Sequence, residues 1–283
     1  MYSINLEIFR EIQGIGSASG IISKKDLLYI IGDNSGYLSE YDVKSQQLNK
    51  IQILERNKLQ NLENIPKSQK PDFEVLCQYM DQFYILGSGS TPKRNSLVEF
   101  NPKLKSIITR DLTSTYQKMK NVAGINDENF NIEGAVFTGQ FWMLFNRGNG
   151  NDGKNGIFRV LGQDLTKAEE ITFSIVKLPN ISHVESSFTD AVLVGKEIFY
   201  MSTAEDTKST YADGDILGSF IGSINLETLK LNFSYRIPGA HKFEGISLYQ
   251  KTSKGVEFLL CEDRDTDELN TTIYRLSLTI HDR

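Results

Sequence analysis

The stretch NFNIEGAVF, Asn129 to Phe137, places one carboxylate inside an apolar segment, and its recurrence decides the fold. Glu133 lies in what is otherwise a typical buried strand. Burying a carboxylate there costs free energy unless the carboxylate is paired, protonated or bound to a cation. Similar segments occur four more times, each with a polar residue, here called the anchor, at the position of Glu133. The five segments are ASGIIS, DFEVLC, NIEGAV, SFTDAV and KFEGIS, and their anchors are Ser19, Glu74, Glu133, Thr189 and Glu244.

The anchors recur with a regular period of 55 to 59 residues, which indicates an internal repeat over nearly the whole chain. Each anchor is followed by a second run rich in branched and aromatic residues, such as LLYIIGD or FWMLFNR. A third run follows in every unit and a fourth in most. Four antiparallel strands per repeat are typical of a β-propeller blade.

The fifth unit lacks a fourth run and stops near His281. The segment INLEIFREI, Ile4 to Ile12, precedes the first anchor just as LNFSYRI precedes Glu244. We therefore expect the N-terminal strand to complete the last blade and to cover a sheet edge that would otherwise be exposed. The predicted fold is an all-β, five-bladed propeller in one domain, residues 1–283. Residues 55–72 and 114–129 are predicted to be surface loops or short helices.

Composition restricts the class of protein. The apolar fraction of 39% and charged fraction of 24% are ordinary for a globular chain, and the net charge of −5 argues against binding nucleic acid or anionic membranes. No apolar run approaches the roughly 20 residues that span a bilayer. The first residues do not resemble a secretion signal, so a cytoplasmic location is expected unless an upstream signal was removed. Cys77 and Cys261 lie in apolar runs and are interpreted as reduced core residues. The sequence does not indicate an oligomeric state.

The propeller geometry predicts that the anchors meet. The first strand of each blade lines the central channel, so the five anchors should form a ring at one mouth. Three glutamates in one ring cannot all stay ionised without protons or a cation. Oxygen ligands without His or thiolate favour Ca²⁺ over zinc, and Mg²⁺ demands stricter geometry. The alternative is that the glutamates bond water and share protons. Asp190, beside Thr189, should point to the other face unless a one-residue shift brings it to the axis.

The loops after each second strand should form the rim of this mouth. They mix cations with carboxylates, and the alternative interpretation is that they are ordinary solvated hairpin loops. The loop GSGSTPKRN lacks the spacing of a phosphate-binding P-loop. His241 is a candidate base near the mouth or a bystander, and no serine-hydrolase triad is supported. The rim candidates are Asp33, Asn34, Lys93, Arg94, Arg147, Lys154, Glu205, Asp206, Asp263 and Arg264, with Arg147 and Glu205 nearest the strand ends.

The order Ser, Glu, Glu, hydroxyl, Glu resembles that of the calcium-activated nucleotidases, which are five-bladed apyrases. The loops GDNSG, NRGNG and STAED are similar to that family's D-D-R-T-G, P-R-R and K-S-E-E segments. The resemblance implies Ca²⁺ at the five anchors and hydrolysis of nucleoside di- or triphosphates near Asp33, Arg147 and Glu205. Thr189 stands where that family has Ser, and GSGSTPKRN differs from its G-K-E-W loop. The chain also resembles bacterial phytase-like and esterase-like propellers, for which apyrase chemistry does not follow.

Two functional hypotheses result. The first is a Ca²⁺-dependent hydrolase of a phosphate ester or anhydride, acting on a small anionic substrate at the channel mouth. In it, Arg94 and Arg147 neutralise developing charge, and Asp33 or Glu205 accepts a proton from water. The second is a binding propeller whose ion is structural and whose rim holds a small ligand or a protein.

Overall fold

Strands dominate the computed structural model, which describes residues 2–55, 61–148, 153–207, 214–264 and 266–280. The strands are β1 (Tyr2–Gln13), β2 (Ala18–Lys24), β3 (Leu27–Gly32), β4 (Tyr37–Asp42), β5 (Leu48–Gln52), β6 (Phe73–Tyr79), β7 (Gln82–Gly87), β8 (Ser96–Asn101), β9 (Ser106–Asp111), β10 (Ile132–Phe137), β11 (Phe141–Asn146), β12 (Gly156–Leu161), β13 (Ile171–Ile175), β14 (Asn180–Ile181), β15 (Val184–Glu185), β16 (Ser187–Val194), β17 (Glu197–Asp206), β18 (Asp215–Asn225), β19 (Leu231–Arg236), β20 (Phe243–Thr252), β21 (Gly255–Glu262) and β22 (Asn270–Ile280). The described α-helix is α1 (Thr113–Ala123), and short 3₁₀ turns lie at Pro92–Arg94, Asp127–Asn129 and Leu165–Lys167.

Five four-stranded antiparallel sheets form the blades. Their strand orders are β2-β3-β4-β5, β6-β7-β8-β9, β10-β11-β12-β13, β16-β17-β18-β19 and β20-β21-β22-β1, for blades one to five. The innermost strands β2, β6, β10, β16 and β20 contact one another in sequence, and β20 contacts β2, so the ring is closed. The prediction of a five-bladed propeller is therefore confirmed. The pair β14–β15 lies between blades three and four in the chain.

The N-terminal strand closes the ring as predicted. Strand β1 pairs antiparallel with β22 from Tyr2 opposite Ile280 to Gln13 opposite Asn270, with one irregularity between Ile8 and Arg10. It thus occupies the fourth position of blade five, which β5, β9, β13 and β19 occupy in the other blades. The edge of β22 is covered, and the ring is held by strand pairing rather than by packing alone.

The apolar core is divided among the interfaces between neighbouring blades. Five buried clusters each join residues of two adjacent blades, including one that joins blade five to blade one. Aromatic pairs mark these interfaces: Tyr29 meets Phe83 edge-on at 4.8 Å, and Phe145 meets Phe188 at 5.2 Å between ring centroids. Burying such rings is worth about 1.5–3 kcal/mol each, so the blade interfaces carry much of the stability.

A β-bulge lies at every anchor. The pairing of each innermost strand with the next strand skips one residue, and that residue is the anchor in all five blades. A bulged residue leaves the ladder and turns its side chain aside. Glycine follows three of the anchors because the inner strands come close there. A Cβ on Gly134 would lie 2.9 Å from the Asp190 Cα, and one on Gly245 would lie 2.9 Å from the Gly20 Cα.

The predictions about the long inter-strand segments and the cysteines can be compared with the described residues. Helix α1 lies in the segment predicted to be a loop or short helix, and it ends at Gly124, whose φ of +59° gives a left-handed cap. Residues 56–60 of the other predicted loop segment lie outside the described part. Cys77 and Cys261 are buried free thiols, as predicted. None of the described helices is long and apolar enough to cross a membrane.

Candidate functional site at the channel mouth

Three repeated positions bring polar side chains to one mouth of the channel. The first is the anchor. The second lies two residues before the anchor, where the chain enters the innermost strand. The third lies beside the bulge, at or just after the second strand of the blade: it directly follows that strand in four blades and is Thr203, within the longer β17, in blade four. The anchor ring is Ser19, Glu74, Glu133, Thr189 and Glu244; the pre-anchor ring is Ser17, Asp72, Asn131, Ser187 and Lys242; the strand-end ring is Asp33, Ser88, Arg147, Thr203 and Asp263.

The two hydroxyl anchors bond to backbone. Ser19 Oγ donates to the carbonyl of Phe73 at 2.5 Å, and Thr189 Oγ1 donates to the carbonyl of Phe243 at 2.7 Å. Each acceptor residue directly precedes the glutamate anchor of the next blade. The hydroxyls therefore join neighbouring blades and hold the backbone beside Glu74 and Glu244 in place.

Arg147 lies among three carboxylates from three blades. Its Nη2 is 2.5 Å from Glu205 Oε2, and its Nη1 is 3.3 Å from Glu133 Oε1 and 3.6 Å from Glu244 Oε1. Burial opposes the guanidinium charge, but Glu133, Glu205 and Glu244 outweigh it, so the pKa of Arg147 is raised. This answers in part why a carboxylate stands in the NFNIEGAVF strand: Glu133 is paired with Arg147 and accepts a 2.5 Å hydrogen bond from Asn131 Nδ2.

Lys242 is the second cationic side chain that contacts a glutamate anchor. Its Nζ lies 3.3 Å from Glu244 Oε1 and 3.3 Å from Asp263 Oδ2. All three residues are buried. Glu244 is thus shared between a lysine of its own strand and Arg147 from blade three.

A third group of charges lies where blades one and two meet. Lys70 Nζ forms ion pairs with Asp33 and with Asp72, the latter at 2.7 Å. Arg94 Nη1 pairs with Asp72 at 2.8 Å, and its Nη2 donates to the carbonyl of Lys67. Asp72 adopts a φ of +54°, a left-handed conformation that is uncommon outside glycine. One oxygen each of Asp33, Asp72 and Glu74 lies within 4.8 Å of the other two, a span that one divalent cation can bridge.

Glu74 differs from the other glutamate anchors. It is only 8% exposed, yet its carboxylate makes no hydrogen bond or ion pair with any residue in the described part of the chain. Burial, followed by the charges of Glu133 and Asp72, raises the pKa of Glu74 well above its usual value. Its carboxylate is therefore the acceptor that an added cation would satisfy.

Carboxylates outnumber cations at this mouth. Among the described side chains, the acids are Asp33, Asp72, Glu74, Glu133, Glu205, Glu244 and Asp263, and the bases are Lys70, Arg94, Arg147 and Lys242. Seven acids against four bases leave three uncompensated negative charges if all are ionised. Such a site attracts cations and, by itself, repels anions.

Asp190 is brought inward by the bulge at Thr189, which supplies the one-residue shift considered for it. Its Oδ1 accepts from the backbone N–H of Ala191 at 2.7 Å, and its Oδ2 accepts from that of Ile246 at 2.8 Å. Burial raises the pKa of Asp190 well above its usual value, despite these two hydrogen bonds. Asp190 therefore ties blade four to blade five.

The other candidates divide between the site and its surroundings. His241 Nδ1 lies 2.7 Å from Glu262 Oε1 and its ring stacks on Phe243, outside the network of Arg147. Lys154 bonds the C-terminal carbonyls at the end of α1, and Lys93 is exposed and donates to the carbonyl of Ser68. Parts of three rim loops, residues 149–152, 208–213 and 265, lie outside the described residues.

Several polar members of the site were missed, among them the four residues Lys70, Asp72, Asn131 and Lys242. Three of them belong to the pre-anchor ring, which is polar in all five units. That repeated polarity two residues before each anchor was the available signal. Lys70 has no equivalent in the repeat, because it comes from the loop that joins blades one and two.

A protein-family model matches residues 14–278, and the chain therefore belongs to that family, DUF6929, a family of unknown function. No curated protein matches the sequence. Among solved structures, the chain is similar to the glutaminyl cyclase of Myxococcus xanthus (TM-score 0.54, 11% identity, 97% of each chain covered). It is also similar to the allergen Mala s 1 of Malassezia sympodialis (TM-score 0.55, 11% identity, 96% of this chain and 98% of the other). A third similar structure is the PQQ-bound aldose sugar dehydrogenase of Streptomyces coelicolor (TM-score 0.55, 10% identity, 98% of each chain).

At these identities the structural matches establish the propeller fold and nothing further about chemistry. The resemblance to calcium-activated nucleotidases is supported only at the level of the five-bladed fold, because the family that matches is another one.

Proposed function

We propose that this member of the family binds a divalent cation, Ca²⁺, at the channel mouth through Asp33, Asp72 and Glu74. The observation that carries the proposal is Glu74, a buried carboxylate without a partner among the described residues. Its oxygen lies within 4.8 Å of oxygens of two further acids. Hard oxygen ligands on flexible carboxylates are typical of Ca²⁺ sites. The proposal thus moves the ion from the centre of the anchor ring, where Arg147 lies, to one side of it.

We further propose that the bound ion serves hydrolysis of a small phosphate ester or anhydride. A divalent cation would reduce the surplus of negative charge at the mouth, so an anionic substrate would approach the mouth more readily when the ion is bound. When bound, the ion would polarise a phosphoryl oxygen. Arg147 would hold the remaining acids in place beside the substrate.

The second candidate is a binding propeller whose ion is structural. The observation that favours it is that both Nη atoms of Arg147 are paired, with Glu133, Glu205 and Glu244. Glu205 also accepts from the backbone N–H of Gly214 at 2.8 Å, so both of its oxygens are engaged. An arginine and a carboxylate held in this way stabilise the mouth rather than take part in a reaction.

Calcium binding is tested by thermal melting. Ca²⁺ at about 100 times its dissociation constant is expected to stabilise the wild-type protein by about 2.7 kcal/mol. Glu74→Gln removes the unpaired ligand and should abolish that shift. Glu169→Gln is the matched control, because Glu169 is exposed and lies in the connection between β12 and β13, away from the anchor positions. An equal shift in wild type and Glu74→Gln would refute the assigned site.

Turnover is tested separately by phosphate release from nucleotides and phosphomonoesters, with Ca²⁺ or with a chelator. Release that requires Ca²⁺ and is lost in Glu74→Gln supports the hydrolase. Calcium-dependent stabilisation without release from any substrate of the panel supports the second candidate.

A further inference from the structure

Lys70 lies inside the acidic group that we assign to the cation. Its ammonium group pairs with both Asp33 and Asp72, and its side chain is 12% exposed. The charges of Asp33, Asp72 and Glu74 together outweigh its burial and raise the pKa of Lys70. A positive charge of the protein itself thus takes the position between two of the three carboxylates.

Asp72, the acid shared by both cations, does not depend on Lys70 for its position. Asp72 Oδ2 is held from the other side by Arg94 Nη1 at 2.8 Å and by Ser88 Oγ at 2.5 Å. The backbone N–H of Asp72 donates to the carbonyl of Asp33 at 3.0 Å, which ties the two backbone segments together. Removal of the ammonium would leave Asp72 in place, and Asp33 Oδ2 would lose its ion pair with Lys70 and become available to an added cation.

Two acceptors of the group are unsatisfied while Lys70 is bound. Asp33 Oδ1 is buried and has no hydrogen-bond partner among the described atoms. Glu74, 8% exposed, is likewise without a partner in the described part of the chain. One ammonium group therefore does not satisfy a set of oxygens that a divalent cation with six to eight ligand positions would satisfy.

We propose that Lys70 is a resident counter-cation, and that a divalent metal ion binds by displacing its ammonium group into solvent. This inference rests on the proposed cation site. Lysine suits the role because its ammonium is a point charge on a flexible four-carbon stem. The loop position favours it too: Lys70 belongs to a turn in which its backbone N–H donates to the carbonyl of Pro66, beside the surface. The affinity for the metal is then set by competition with a charge of the protein.

Calorimetric titration of Ca²⁺ into variants tests the competition. Lys70→Met removes the competitor and is expected to tighten Ca²⁺ binding by about tenfold or more, since a unit charge at contact distance is lost. Lys70→Arg retains the charge and should bind no more tightly than wild type. Lys93→Met is the matched control, because it makes the same change of net charge at an exposed lysine that bonds the carbonyl of Ser68 in the same region.

A measurement on the wild-type protein makes the test independent of whether Lys70→Met folds. Acylation of lysines by an amine-reactive reagent, followed by peptide mass spectrometry, reports the accessibility of each ammonium group. Saturating Ca²⁺ is expected to raise the labelling of Lys70 several-fold and to leave that of Lys93 unchanged. Unchanged or reduced labelling of Lys70 with Ca²⁺ bound would overturn the displacement.

The outcomes separate this inference from the cation site itself. If wild type binds Ca²⁺, Glu74→Gln does not, and Lys70→Met binds no more tightly, the site stands and the displacement is refuted. If Lys70→Met binds Ca²⁺ and the wild-type protein does not, Lys70 occupies the site without being displaced by the ion, and the displacement is refuted. If neither binds at millimolar Ca²⁺, both proposals fail.

Discussion

Replacement of Arg147 by methionine is expected to destabilise the protein by about 3–5 kcal/mol, the cost of removing one partner from a buried ion pair. The guanidinium lies between Glu133, Glu205 and Glu244, which come from blades three, four and five. Without it, Glu133 and Glu205 lose their ion pairs with Arg147, and Glu244 keeps its contact with Lys242. Urea denaturation at pH 7 measures the loss.

The pH dependence of the variant separates charge repulsion from lost packing. Burial already raises the pKa of Glu133, and Arg147 is the largest charge that opposes this shift, so without Arg147 the folded variant holds more protons at Glu133 than the unfolded chain does. Stability of Arg147→Met is therefore expected to rise as pH falls from 7 towards 5, relative to wild type. Arg110→Met is the control, because Arg110 pairs with Glu99 at the surface and such pairs are worth about 0–1 kcal/mol. A loss below about 1 kcal/mol for Arg147→Met would contradict its placement among the acids.

Deletion of residues 2–13 is expected to cost more than about 5 kcal/mol and so to abolish cooperative folding in a domain of ordinary stability. The deletion removes β1, exposes the edge of β22, and takes Ile12 out of the cluster between blades five and one. Exposed edges of this length promote association. Size-exclusion chromatography and urea denaturation of the truncated chain measure both effects.

A circular permutant is the matched control for the deletion. It joins β22 to β1 by a short turn, since Tyr2 pairs with Ile280, and opens the chain between Gln13 and Gly14. The permutant contains the same strands, and blade five then has the connectivity of the other four. We expect it to fold with near wild-type stability. Failure of the permutant, or a stable truncated chain, would show that strand pairing does not close the ring.

The fold was predictable because every blade repeats the same pattern of residue types along the chain. A polar anchor in an apolar strand, followed by runs of branched and aromatic residues, recurs in every blade, and one missing strand at the C-terminus matches one extra strand at the N-terminus. The bulge at each anchor was not predicted. It depends on which residues pair across strands, and the glycines after Ser19, Glu133 and Glu244 give only an indirect sign of it.

The candidate site was predictable only in part. The ring positions of Glu74, Glu133, Glu244 and Arg147 follow from the repeat, because equivalent positions of a symmetric fold meet at its axis. Which acid pairs with which base does not follow, since it depends on side-chain reach across the mouth. The repeat could not predict the position of Lys70, because the loop that carries Lys70 has no counterpart in the other blades.

Closure by β1 and β22 has a consequence for biosynthesis. Strand β1 pairs with β22, which is translated about 250 residues later, so that intervening chain must be made before the ring can close. At translation rates of about 5–20 residues per second, that wait is on the order of tens of seconds. During it, the apolar surface of blade one that packs against blade five in the finished ring has no partner and stays exposed to solvent.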